Sequence, residues 1–122
     1  MRYSDYLRKA KIMLKEAEED LNIGCYNKAV SASWFAVESL LRAIVLKKRK
    51  PMPERPNKLI SLIHRLLYTE HPDKKHLAHI ISSLYEKRKR ADHRETLFNR
   101  IHAMKSLSQA ESIYNELINI LI

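Results

Sequence analysis

Six consecutive residues, Arg88-Lys89-Arg90-Ala91-Asp92-His93, bring a guanidinium, a carboxylate and an imidazole into one short stretch. An imidazole titrates near neutral pH, so His93 can take a proton from a ribose 2′-hydroxyl or return one to a leaving 5′-oxygen. Arg88 can hold a phosphate and stabilise the extra negative charge that develops as it reacts. Asp92 can fix the imidazole's orientation or anchor the guanidinium, and transesterification of this kind requires no metal. The flanking cations Lys87, Lys89, Arg90 and Arg94 would gather a polyanion such as RNA around these groups.

Spacing limits what the three groups can do together. Leu77, Ile81 and Leu84 recur at helical intervals, and Arg88 and Ala91 are the next positions on that face. A guanidinium on the core-facing side of a helix must find a partner or line a polar cleft, because an unpaired buried charge is very costly. Arg88 and Asp92 are four apart and can form an ordinary ion pair. Arg88 and His93 are five apart, about 140° around a straight helix, and do not share a face. They meet at one phosphate only if the helix ends near Asp92, or if a second subunit supplies the other copy. A structural ion pair beside an exposed histidine is the competing reading of the same spacing.

Other candidates are weaker. His76 and His79 are three apart on one predicted helix, a spacing that can bring two imidazoles to a metal, but they have lysine neighbours and no obvious carboxylate. They read as surface histidines, and His64, His71 and His102 as isolated surface or boundary residues. Cys25 is the only cysteine, which excludes an internal disulfide and fits a packing role in a reducing compartment. With one glycine in the chain there is no phosphate-cradling glycine loop. The run Lys47-Lys48-Arg49-Lys50 can complement a helix C-terminus or contact phosphate, and the sequence leaves both open.

The elements that must position these groups are helices. The 122 residues suit one domain spanning 1–122, and one glycine with four prolines leaves few breaks. A first helix from a Ser4 cap buries Tyr6, Leu7, Ala10, Met13, Leu14, Ala17 and Leu21, and ends at Gly24. A second, over about 26–48, has so wide an apolar arc that it must be central in a bundle. A proline-rich loop follows, then a third helix capped by Asn57, a fourth starting at Pro72, and a last one from about Phe98. The last helix is expected to bury Ile101, Met104, Leu107, Tyr114, Leu117, Ile118 and Leu121. The fold class predicted is all-α, an up-and-down bundle of four to five helices.

Lysine and arginine number 23 against 14 acids, a formal charge of +9, which favours an anionic partner or simply serves solubility. No uninterrupted apolar run reaches ~18 residues, so no membrane partner is expected. Met1 to Asp5 lack the apolar core of a leader, and a cytoplasmic location is the expectation.

The residues also resemble a known family. Gly24-Cys25-Tyr26-Asn27-Lys28-Ala29, followed by Ala32 through Ala43 with Glu38 and Arg42, is similar to the G-x-Y-x-x-A…A-x-x-x-x-E-x-x-x-R/K-A signature of HEPN domains. Leu84-Tyr85-Glu86-Lys87-Arg88-Lys89-Arg90-Ala91-Asp92-His93 resembles their L-Y-x-x-R-x-x-A-D-Y/H segment. The likeness extends over nearly the whole chain, closest to small stand-alone archaeal and bacterial members. It implies a helical bundle that pairs as a homodimer, with two R-x4-6-H motifs facing one shared cleft. Arg88 and His93 match that motif, so the resemblance implies a metal-independent ribonuclease without cofactor, the toxin of a pair whose antitoxin is a minimal nucleotidyltransferase. The alternative it implies is a non-catalytic module that binds such a nucleotidyltransferase, or a nucleic acid or nucleotide.

Overall fold

In the computed structural model residues 1–93 and 95–121 are described, and among them there are five α-helices and no strand. They are α1 (Tyr3–Asn22), α2 (Tyr26–Lys47), α3 (Pro56–Glu70), α4 (Leu77–Ala91) and α5 (Arg100–Leu117), with single 3₁₀ turns at Pro72–Lys74 and Ile118–Ile120. The expected all-α bundle is what forms.

The wide apolar arc of α2 is used in full, since α2 packs against every other helix. Trp34, Leu40 and Leu41 are completely enclosed, and the Trp34 ring tilts against Tyr85 of α4 with centroids 5.0 Å apart. By length and composition α2 could cross a membrane, but 72% of its most apolar window is buried inside the bundle. Its hydrophobicity therefore serves the core.

The buried residues fall into two clusters. The larger joins α2, α3, α4 and the C-terminal half of α5. The smaller is built largely from alanines (Ala17, Ala29, Ala32, Ala91 and Ala103) with Leu21, Val30 and Leu107, and Tyr26 and Phe98 pack against it. Small side chains let α1, α2 and α5 approach closely at this end, directly beneath the segment that carries His93.

Local signals explain the boundaries. Gly24, at φ +83°, closes α1 in the left-handed conformation expected of it, and Cys25 N–H donates back to Asp20 C=O at 2.8 Å. At the other end of α1, Ser4 lies inside the first turn. Asp5 does the capping instead, accepting the Arg2 N–H at 2.9 Å. Pro56, not Asn57, opens α3, because its fixed φ suits the first helical position. Pro72 starts only a 3₁₀ turn, and α4 begins at Leu77.

The phase of α5 departs from expectation. Ala103, Ser106, Leu107, Ala110, Ile113 and Leu117 face the core, which leaves Ile101 73% and Met104 47% exposed. Close packing at the alanine-rich end selects the small residues as the inner face. Two large apolar side chains are thereby turned outward.

Candidate functional site

The site is assembled where α4 stops. After Ala91 the chain leaves the helix, Asp92 serves as C-cap, and His93 N–H donates to Arg90 C=O at 3.1 Å in a tight bend. The helix thus ends near Asp92, where the Arg88/His93 spacing requires it, but Asp92 keeps helical dihedrals (φ −82°, ψ −10°), so His93 starts close to the helical phase and does not meet Arg88 within one copy.

Asn27, in the first turn of α2, fastens the segment that follows. Its amide nitrogen donates to Ala91 C=O at 2.9 Å and to Thr96 C=O at 2.7 Å, while its carbonyl oxygen accepts Phe98 N–H at 2.9 Å. One carboxamide therefore satisfies the last carbonyl of α4 and two backbone groups at Thr96 and Phe98 that no helix pairs. Beyond it Asn99 caps α5, its side-chain oxygen accepting His102 N–H at 2.9 Å, while His102 Nδ1 accepts the Asn99 N–H at 3.3 Å. His102, which reads in sequence as an isolated surface residue, is half of a capping pair.

Arg88 is held from two sides. Its guanidinium carbon lies 5.2 Å from the Phe35 ring centre, and Nε lies 3.2 Å from Asp92 Oδ2. Nε is sealed from solvent, yet its N–H is not aligned on that oxygen for a hydrogen bond. Asp92 also accepts from Ser31 Oγ at 3.0 Å through its other oxygen. Asp92 is thus engaged with Arg88 and Ser31, and no hydrogen bond joins it to the His93 ring among the described residues.

An open pocket of about 620 Å³ lies beside this clamp, between the start of α2 and residues 91–93, 97 and 98, with His93, Tyr26, Lys28, Leu97 and Phe98 among its walls. Arg88 is not part of this wall. A second hollow of about 440 Å³ on the other side of Lys28 and Asn27 is bordered by Phe35 and by the acids Glu16, Asp20 and Asp92. The two concavities share Asn27, Lys28, Ala91 and Asp92; His93 lines the first alone, and Arg88 reaches the second only through its contacts with Asp92 and Phe35.

The remaining cations spread around α4. Lys87 turns toward α5 and donates to Gln109 Oε1 at 3.2 Å; partial burial, with Lys105 and Arg90 nearby, holds its ammonium below the usual lysine range. Lys89 pairs with Glu86 at 2.9 Å and lies over the Tyr85 ring at 4.9 Å. Arg90 lies over Phe98 at 6.0 Å. Arg94 falls outside the described residues. In the basic run after α2, Lys48 bonds Glu70 at 3.0 Å, and that hydrogen bond keeps the Glu70 carboxyl below its usual range.

Glu38 and Arg42, the charged pair of the first motif, lie 3.8 Å apart. Arg42 also donates to the carbonyls of Pro53 at 2.7 Å and Glu54 at 3.3 Å. That pair therefore secures the proline-rich loop, at a different place from the 88–93 segment. Among the described residues no three His, Cys, Asp or Glu side chains gather as a metal cluster, and His76 instead meets Glu116 at 3.4 Å.

A helical bundle whose fourth helix ends in an Arg/Asp pair and a histidine, clamped to the start of the second, defines the class. The model of the HEPN domain matches residues 3–121, and the chain belongs to that family. No curated protein matches the chain.

Proposed function

We propose that this chain is a metal-independent endoribonuclease that works as a homodimer, with Arg88 and His93 flanking one phosphate in a cleft shared by two copies. The observation that carries this reading is the end of α4 at Ala91, which leaves His93 on the wall of an open pocket while Arg88 stays on the helix next to Asp92, so that a second copy can bring the two to one phosphate. HEPN domains have nuclease or nucleotide-binding roles, and the residues that nuclease chemistry needs are present at their motif positions.

In this mechanism His93 removes the proton from the 2′-hydroxyl, the 2′-oxygen attacks phosphorus, and the bond to the 5′-oxygen breaks. The leaving 5′-oxygen takes a proton from water, or from the imidazolium of the second copy, giving a 2′,3′-cyclic phosphate and a 5′-hydroxyl end, and His93 loses the proton it gained to solvent. Arg88 neutralises the charge that builds on the non-bridging oxygens. Its position between Phe35 and Asp92 fixes the guanidinium before substrate arrives, and Asp92 acts on Arg88 more than on the imidazole. Lys89 and Arg90 would draw the RNA backbone toward the site, with Lys87 and Arg94 adding to the local positive potential.

Pairing is supported by the outward Ile101 and Met104, three residues apart on one face of α5 and close in sequence to the His93 segment. The role of toxin beside a minimal nucleotidyltransferase antitoxin follows from the family resemblance and, with the cytoplasmic location expected from the sequence, is part of this proposal.

One observation favours the second reading, a non-catalytic module for a nucleotidyltransferase, nucleic acid or nucleotide. Arg88 is already engaged by Asp92 and Phe35, as a purely structural ion pair would be. Cleavage of a labelled mixed-sequence RNA in EDTA separates the two. Arg88→Ala and His93→Ala should each lower cutting by about 10²-fold or more with helical content unchanged. Variants that cut like the parent would show the site to be misplaced. An intact parent dimer that does not cut would leave the binding module.

A further inference from the structure

The pocket between α2 and the 91–98 segment has chemistry that phosphate binding does not explain. Its volume of about 620 Å³ lies in the range of small-molecule sites, and much of its wall is apolar: Tyr26, Leu97 and Phe98. Leu97 is 85% exposed, an aliphatic side chain held open to solvent on the pocket wall. Cations stand at the margin. Lys28 lines the pocket and forms no ion pair among the described residues, and the Arg90 guanidinium carbon lies 6.0 Å from the centre of the Phe98 ring, though Arg90 itself is not on the pocket wall. Flat apolar walls beside cations are what proteins use to hold an unstacked base of single-stranded RNA.

Lys28, Asn27 and Asp92 line both this pocket and the neighbouring hollow, whereas His93, Tyr26, Leu97 and Phe98 line this one alone. The pocket is also held in shape without ligand, because the three Asn27 hydrogen bonds fix its two sides to one another.

We infer that this pocket is a nucleobase subsite, taking the base of the nucleotide adjacent to the phosphate that His93 serves. The inference rests on the ribonuclease reading for its place in the reaction, but binding itself can be measured without catalysis. Cys25 is the only cysteine in the chain and lies, half-buried, on the pocket wall. Its alkylation by N-ethylmaleimide reports occupancy directly.

The experiment compares labelling rates of the parent protein with each of the four nucleoside 3′-monophosphates, with ribose 5-phosphate and with inorganic phosphate. At least one nucleotide should slow labelling several-fold, while the two probes that lack a base should not. Leu97→Asp, at an exposed position that the fold does not need, should raise the nucleotide concentration required for protection by about tenfold. Shifts of the Tyr26, Lys28 and Leu97 backbone amides in an NMR titration provide the same readout if native Cys25 reacts too slowly. Equal protection by ribose 5-phosphate, or no protection and no shifts with any nucleotide, would overturn the subsite. RNA cleavage measured alongside keeps the two ideas apart. Base-dependent protection in a protein that does not cut RNA removes the ribonuclease and leaves the subsite, whereas cutting without protection does the reverse.

Discussion

The Asn27 side-chain oxygen accepts the Phe98 N–H at 2.9 Å, joining residues 71 positions apart in the chain. The same carboxamide donates to Ala91 and Thr96, so both ends of the His93 segment hang on one side chain at the start of α2. The first motif and the second are coupled by this residue, and the coupling is what places His93 relative to the bundle.

Replacing Asn27 by Ala removes all three bonds and leaves two carbonyls and an N–H in a partly buried setting. A loss of about 2–3 kcal/mol is expected in urea unfolding. Amide exchange at Phe98 should accelerate more than exchange in α3, because the segment opens before the core does. Equal acceleration at both places would mean that Asn27 supports the whole fold and does not specifically hold the segment.

How much of this was legible in the sequence depends on the range of the interaction. Helical spacing identified α1 and α2, Gly24 ended α1 as expected, and the 88–93 residues drew attention by their types alone. The Asn27 clamp left no local trace, since its partners lie 64 to 71 residues away and are backbone atoms, which carry no side-chain signal. Helical spacing places Ile101 and Met104 in the core because apolar size dominates a periodicity count, yet both face outward. The actual inner face of α5 uses Ala103, Ser106 and Ala110, whose value is closeness of approach. The Arg2/Asp5 cap has no signal in residue type at the N-cap, since arginine is not a capping residue, whereas Asn99 carries one in its short polar side chain.

Arg49 has φ 56°, the left-handed conformation, where α2 ends and Lys50 N–H donates back to Val45 C=O at 3.2 Å. A residue with a Cβ is strained there by about 1 kcal/mol, and glycine is not. Arg49→Gly should raise the thermal midpoint by about 4 °C for a chain of this size. A lowered midpoint would show that the arginine side chain stabilises the turn by more than its backbone costs.

Lys87 gives a pH dependence with a definite sign. Its folded pKa lies below the unfolded one, chiefly through desolvation and secondarily through Lys105 and Arg90. Between the two values the unfolded chain binds more protons, so stability rises with pH through that window. Below it, at neutral pH, the charged ammonium works against the fold. Lys87→Met keeps the aliphatic stem and should raise the urea midpoint at pH 7, with the advantage fading above the lysine range. Because desolvation is the larger cause, 1 M salt should remove only part of the gain. A gain abolished entirely by salt would reassign the effect to like-charge repulsion.

If Arg88 and His93 of one site come from different copies, inactive variants should complement each other. A heterodimer of Arg88→Ala and His93→Ala subunits contains one pairing with both native side chains and one with neither. Random re-association makes half of the dimers mixed, so about a quarter of parental cleavage should return on mixing. The exchange requires dissociation through the proposed seam, and Ile101→Lys combined with Met104→Lys should therefore yield monomers by light scattering and abolish cutting. Mixed dimers seen by native mass spectrometry without recovered cleavage would place both side chains of a site in one copy, with the end of α4 alone bringing them together.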